Sequence, residues 1–172
     1  SVIGYLLHSY QNEGKPKVII FNDEMISDVP NGGSGKGLIH KALSHIKKLS
    51  TINGKGFDPS TQFAYQTVDT DTQILLFDDI DRNFKFENLF SLITEGLTIE
   101  KKGKDAIKIP FNESPKISIT TNYTVKGEGS SHLRRVFEVE MAGYFNDQNT
   151  PEDEFGHLLI SDWNNLERAK FD

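Results

Sequence analysis

The 172-residue chain has no cysteine, which excludes disulfides and thiolate chemistry and fits a reducing cytosol. It has no apolar run long enough to cross a bilayer, and Ser1-Val2-Ile3 does not open a secretory signal, so no membrane partner is expected. Basic charge is in deficit, with 19 Lys and Arg against 25 Asp and Glu, a net charge of -6. A surface that is basic all round is therefore excluded, and any contact with nucleic acid must use a local patch. The five histidines (His8, His40, His45, His132, His157) lack metal-ligand spacing, which leaves them core or surface roles. Internal repeats and low-complexity segments are absent. What remains is an ordinary soluble composition, 36% hydrophobic and 26% charged, long enough for one domain with a real core. The chain starts at Ser and stops just after Lys170-Phe171-Asp172, and we expect an excised domain of a longer protein.

One stretch organises the rest: Pro30-Asn31-Gly32-Gly33-Ser34-Gly35-Lys36-Gly37. Small residues there let backbone N–H groups close around an anion. Leu38, Ile39, Ala42, Leu43, Ile46 and Leu49 follow at helical spacing, so a helix starts at the loop with its positive end facing the bound group. The loop looks like a Walker A loop, G-x-x-x-x-G-K-[ST], in which Asn31 to Leu38 would surround the phosphates. Gly35 and Lys36 match. Pro30 replaces the first Gly, and Gly37 replaces the hydroxyl residue that holds Mg2+.

A second stretch, Gln73-Ile74-Leu75-Leu76-Phe77-Asp78-Asp79, reads as a buried parallel strand with two acids at its C-terminal end. Open α/β sheets place ligands there. Beside a phosphate loop, Asp78 would hold Mg2+ and Asp79 would polarise the attacking water. Taken alone, the stretch could equally be a core strand followed by a solvated turn.

Around these two motifs the chain divides simply. Residues 1–29 carry a short helix on Val2, Ile3, Leu6 and Leu7, then a strand over Lys17 to Phe21 and a connector from Asn22 to Val29. Asn53-Gly54-Lys55-Gly56 punctuates after the loop helix, and a second strand is expected from Phe63 to Val68. Phe86, Leu89, Phe90 and Ile93 mark another amphipathic helix. Leu97 to Ile109 forms two alternating strands around a Lys101, Lys102, Lys104 tip, a β-hairpin. Its lysines either grip phosphates or merely protect an exposed edge. Lys116 to Asn122 is a further buried strand, and Asn122 would stand beside the acids if the two strands are neighbours. Arg134 and Arg135 enter a last strand, Val136 to Met141, and residues 142–172 form an acid-started helical tail.

With loop, acid strand, basic hairpin, strand-Asn and arginine pair in this order, the chain resembles a superfamily 3 helicase domain. More narrowly it resembles the phage, prophage and mobile-element primase-helicases, a branch of the AAA+ ATPases, from about Pro30 to Met141. The resemblance implies an α/β P-loop fold: a central, mostly parallel sheet flanked by helices, with the hairpin inserted before the sensor-1 strand. It implies Lys36 on the β/γ-phosphates of ATP, Asp78 and Asp79 as Walker B acids with Mg2+ on Asp78, and Asn122 as the sensor-1 amide. Arg135, with Arg134 second to it, would be the finger supplied to a neighbouring subunit. Lys101, Lys102 and Lys104 would track single-stranded DNA inside a hexameric ring in the cytoplasm of a bacterial host. Two other readings stay open: a nucleotide-binding module with weak or no hydrolysis, since Gly37 and the short Asp79 depart from the pattern, and a small-molecule or nucleotide kinase.

Overall fold

The computed structural model describes residues 1–24, 34–123, 125, 129–145 and 148–156. At its centre lies a five-stranded sheet in the order β2 (Leu49–Asn53), β3 (Ile74–Ile80), β6 (Lys116–Thr121), β1 (Val18–Asp23) and β7 (Val136–Met141), with every pairing parallel. Strands β1 and β6 are buried on both faces, as a parallel sheet sandwiched between layers requires. Along β1 the side chains alternate between two cores. Ile19 and Phe21 join Leu6, Leu43 and Ile74 under helices α1 (Val2–Leu7) and α2 (Lys36–Ser44). Val18 and Ile20 join the larger core, where Phe86 and Leu89 of a 3-10 turn meet Leu92 and Ile93 of α3 (Phe90–Glu95). The hairpin of β4 (Gly96–Ile99) and β5 (Ile107–Pro110) packs on that same side through Leu97, Ile99 and Ile109. Fully buried residues such as Phe77 and Phe86 each contribute about 2–3 kcal/mol of transfer free energy.

Two expected elements differ. Phe63 to Val68 is no strand: Ala64, Gln66 and Val68 each donate to a carbonyl three residues back, a run of turns in which Phe63 takes a φ of 66°. The strand that pairs with β3 is Leu49–Asn53 instead, whose alternating Ser50 and Ile52 are buried. The loop helix accordingly ends at Ser44, so Ile46 is exposed and Leu49 belongs to the sheet. The remaining segments are α4 (Gly129–Leu133), which leads into β7, and α5 (Pro151–Phe155), opened by a Thr150–Asp153 capping box. The expected tail beyond residue 156 lies outside the described residues. No helix among the described residues is long and apolar enough to cross a membrane.

Candidate nucleotide-phosphate site

Because all five strands run the same way, their C-terminal ends share one rim. Asp23, Asp78, Asp79 and Asn122 stand on that rim, and α2 begins there. Gly35 caps the helix with φ 92°, a conformation that favours glycine, and, having no side chain, leaves the first turn without a side-chain cap of its own among the described residues. The opening N–H groups of α2 therefore keep their positive field for a ligand.

From the helix start, the Lys36 ammonium donates to Asp23 Oδ1 at 2.6 Å, Asn122 Oδ1 at 2.9 Å and Ser34 Oγ at 3.0 Å. Asn122 in turn donates through Nδ2 to Asp79 Oδ1 at 3.4 Å. Lys55 closes the line, with Nζ 2.6 Å from Asp79 Oδ2. A continuous polar chain thus crosses the rim from β1 to the end of β2. The loop lysine and the acid pair face one another through the strand-end amide. This works because β6 is inserted between β1 and β3, which puts Asn122 next to both.

The acids sit on a bulge. Phe77 pairs with Ile119 and Ile80 with Thr121, so three steps on β3 oppose two on β6. Asp79 takes φ 56°, the left-handed region that a side chain rarely occupies. Consecutive residues of a regular strand point to opposite faces. The extra residue removes that constraint and lets Asp78 reach Thr120 while Asp79 reaches Asn122 and Lys55.

A buried histidine fixes α2 against β6. His40 Nδ1 lies 2.8 Å from the Lys36 carbonyl, which can only accept, so Nδ1 carries the proton and Nε2 accepts from Ser118 Oγ at 2.7 Å. Burial pushes the His40 pKa down, against the upward pull of the Lys36 carbonyl and the Asp78 charge. A neutral ring at this point locks the turn bearing Lys36 to the strand bearing Asn122.

The site's charge limits its ligands. Among the described residues three carboxylates (Asp23, Asp78, Asp79) face two ammonium groups (Lys36, Lys55). An anionic ligand entering this rim needs additional positive charge. Asp78 is exposed, and its Oδ2 has no partner among the described residues, so it offers a hard oxygen to a divalent cation. No cluster of three or more acidic or histidine ligands occurs among the described residues. Mg2+ needs none, because it binds through one or two carboxylates plus substrate phosphates and water. The residues present therefore fit Mg2+ held jointly with a nucleotide, and not a metal caged by protein alone.

The other expected residues stand elsewhere. Asn31, Gly32 and Gly33 lie outside the described residues, while Gly37 and Leu38 form the first turn of α2. Lys101, Lys102 and Lys104 lie beyond β4, away from the rim. Lys101 is paired at 2.5 Å with Asp69, which also holds Lys48 just ahead of β2, at the N-terminal side of the sheet. Lys102 and Lys104 are exposed. Arg134 and Arg135 also mark that opposite end, where the Arg135 carbonyl accepts from Val18 N–H. Arg134 is exposed, whereas Arg135 is 9% exposed, donates to the Ser131 carbonyl and lies 4.7 Å over the Phe90 ring. A groove of about 530 Å³ between the 59–65 turns and the hairpin base contains no member of the Lys36 cluster, and the clustered chemistry outweighs its size.

Sequence reasoning missed Asp23, Lys55, Thr120, Ser118 and the placement of His40. Asp23 reads as the polar end of a strand and Lys55 as turn punctuation. Only strand order reveals that both meet the Lys36–Asp79 line.

The class so defined is an α/β protein whose parallel sheet gathers a helix-start lysine, two acids and an amide at its strand C-terminal ends. The chain matches the model of DUF5906, a family of unknown function, over residues 29–135, and it belongs to that family. No curated protein matches it. Among solved structures it is similar in fold to the A-form apo structure of the NrS-1 C-terminal region, with a TM-score of 0.61 and 20% identity over 91% of this chain and 37% of that one. An A-form apo structure of NrS-1 residues 305–718 gives a TM-score of 0.54 and 24% identity over 80% of this chain and 32% of that one. A further apo structure of the same region gives 0.52 and 22% over 84% and 34%. The chain thus spans about a third of the length of these neighbours.

Proposed function

We propose that this chain is the ATP-binding motor module of a DNA replication protein, of the AAA+ superfamily 3 helicase type. The observation that carries the reading is the Lys36–Asn122–Asp79 line, which joins the phosphate lysine to the acid strand through the amide that would sense the γ-phosphate. The likeness of fold to the NrS-1 C-terminal region supports it, as does the interposition of β6 between β1 and β3.

In this reading Lys36 and the opening turn of α2 bind the triphosphate, and Asp78 holds Mg2+. Mg2+, when bound, would neutralise developing charge on the phosphate oxygens. Asp79 and Asn122 orient the attacking water. The rim's excess of carboxylate makes a further cation from a neighbouring subunit chemically useful. Both arginines stand too far along the sheet to serve their own rim, which supports a role in a neighbour's site. Burial favours Arg134 over Arg135 for that reach, the reverse of the order expected from the sequence. Lys102 and Lys104, both exposed, would contact the DNA backbone without reading its sequence. Lys101 is already neutralised by Asp69 and contributes less.

The test is ATP turnover by the full-length protein with and without single-stranded DNA, alongside Lys36→Ala and Asp78→Ala. DNA-stimulated turnover abolished by both changes is the expected result. Two observations favour a second reading: Gly37 offers no hydroxyl, and Asp79 is held on both oxygens by Asn122 and Lys55. A module that binds nucleotide and turns it over feebly, if at all, would show Lys36-dependent binding with no DNA-stimulated turnover.

A further inference from the structure

The bulge bearing both acids is held from two sides by groups to which the motifs assign no role. On the β6 side, Thr120 is 3% exposed. Its Oγ1 accepts from the Asp79 N–H at 2.8 Å and donates to Asp78 Oδ1 at 2.6 Å. The directions are forced. A backbone N–H can only donate, so the hydroxyl accepts there and spends its single proton on the Asp78 carboxylate. On the β2 side, the Gly54 N–H donates to the Asp78 carbonyl at 2.6 Å, and the two backbones touch so closely that no side chain fits between them.

We propose that Thr120 is a positioning residue for the metal–nucleotide site, its one hydroxyl fixing the carboxylate of Asp78 and the left-handed backbone of Asp79 together. This rests on the nucleotide reading and adds to it a residue that touches neither ligand nor metal. A non-glycine residue in the left-handed region is strained, so Asp79 keeps φ 56° only while its surroundings over-determine it. The Thr120–Asp79 hydrogen bond is one such constraint. The Thr120–Asp78 bond takes up one carboxylate oxygen and leaves Oδ2 as the metal-facing candidate. Removing the hydroxyl loosens both acids in one step, whereas removing only the methyl group loosens neither.

The experiment titrates Mn2+ into the full chain in the presence of a non-hydrolysable ATP analogue, read by electron paramagnetic resonance. Thr120→Val is expected to raise the Mn2+ Kd at least about tenfold, as loss of a group supporting a metal ligand typically does. Nucleotide binding measured in chelator should stay unchanged, because Lys36 and α2 are untouched. Thr120→Ser, which keeps the hydroxyl, should titrate like the wild type. Thr120→Ala provides the same hydroxyl deletion without added bulk if the valine variant does not fold. Valine and alanine variants that bind Mn2+ like the wild type overturn the proposal, as does a serine variant as defective as they are. A wild type that takes up no Mn2+ with nucleotide overturns the nucleotide reading itself, an outcome distinct from either of these.

Discussion

Gly54→Ala tests whether the acid-bearing bulge is a rigid, close-packed device. A Cβ built on Gly54 lies 2.5 Å from Ile80 Cγ2, 2.8 Å from the Asp78 carbonyl oxygen and 2.8 Å from the Ile80 nitrogen. Two of these three atoms are backbone atoms of the bulge, so no side-chain rotation relieves the clash. Overpacking of this kind costs roughly 1–3 kcal/mol, and the upper end applies because relief requires β2 and β3 to separate. At about 2–4 °C per kcal/mol for a domain this size, the melting temperature should fall roughly 6–12 °C. Separation would also weaken the 2.6 Å bond from Gly54 N–H to Asp78 and move both carboxylates. Gly37→Ala is the control: among the described residues a Cβ there meets nothing within 4 Å, and the residue is helical, so it should be neutral or gain about 0.5 kcal/mol. Differential scanning calorimetry gives the stabilities, and Mn2+ titration reports the acids. Melting of Gly54→Ala within about 2 °C of wild type, less than 1 kcal/mol, would refute the close-packing argument.

Two further outcomes follow from the opposite end of the sheet. Arg135→Ala should cost about 1–3 kcal/mol through loss of the Phe90 stacking and the Ser131 hydrogen bond, whereas exposed Arg134→Ala should change stability by less than about 0.5 kcal/mol yet lower turnover in the assembled protein. Thermal melts and turnover assays on both variants check this, and equal stabilities would sink the assignment of Arg135 as a strut. Stability should also rise between about pH 8 and pH 10. Burial lowers the Lys116 pKa to about 8, so in that window the folded chain has released a proton that the unfolded chain, near 10.5, still holds. The gain, of order 1 kcal/mol, reverses above about pH 10, where unfolded tyrosines ionise while burial keeps Tyr5 and Tyr65 neutral, the latter pushed up to about 12. Urea midpoints across pH 7 to 11 measure the profile. Lys116→Met should flatten its rising limb, and a wild-type midpoint that falls steadily from pH 7 to 10 would contradict it.

Elements whose signals are local were legible before any coordinates. The apolar run closed by Asp78 and Asp79, the Lys116 to Asn122 strand, the lysine-tipped hairpin and the helix starting at Lys36 each follow from a period of two or of 3.6 and from turn chemistry within a few residues. That locality also explains the errors: Leu49 fits the helical period and Phe63 to Val68 fits a strand composition, yet only Leu49–Asn53 finds a partner in β3. Tertiary structure decided everything that depends on strand order. Inserting β6 between β1 and β3 pairs residues about 40 and 100 positions apart in sequence, and no local pattern encodes that choice. From that order come the contacts of Asn122 with both Lys36 and Asp79, the recruitment of Asp23 and Lys55, and the hold of Thr120 on the bulge. The burial of one arginine of an adjacent pair was settled the same way, because packing against Phe90 and the hydrogen bond to the Ser131 carbonyl distinguish Arg135 from Arg134.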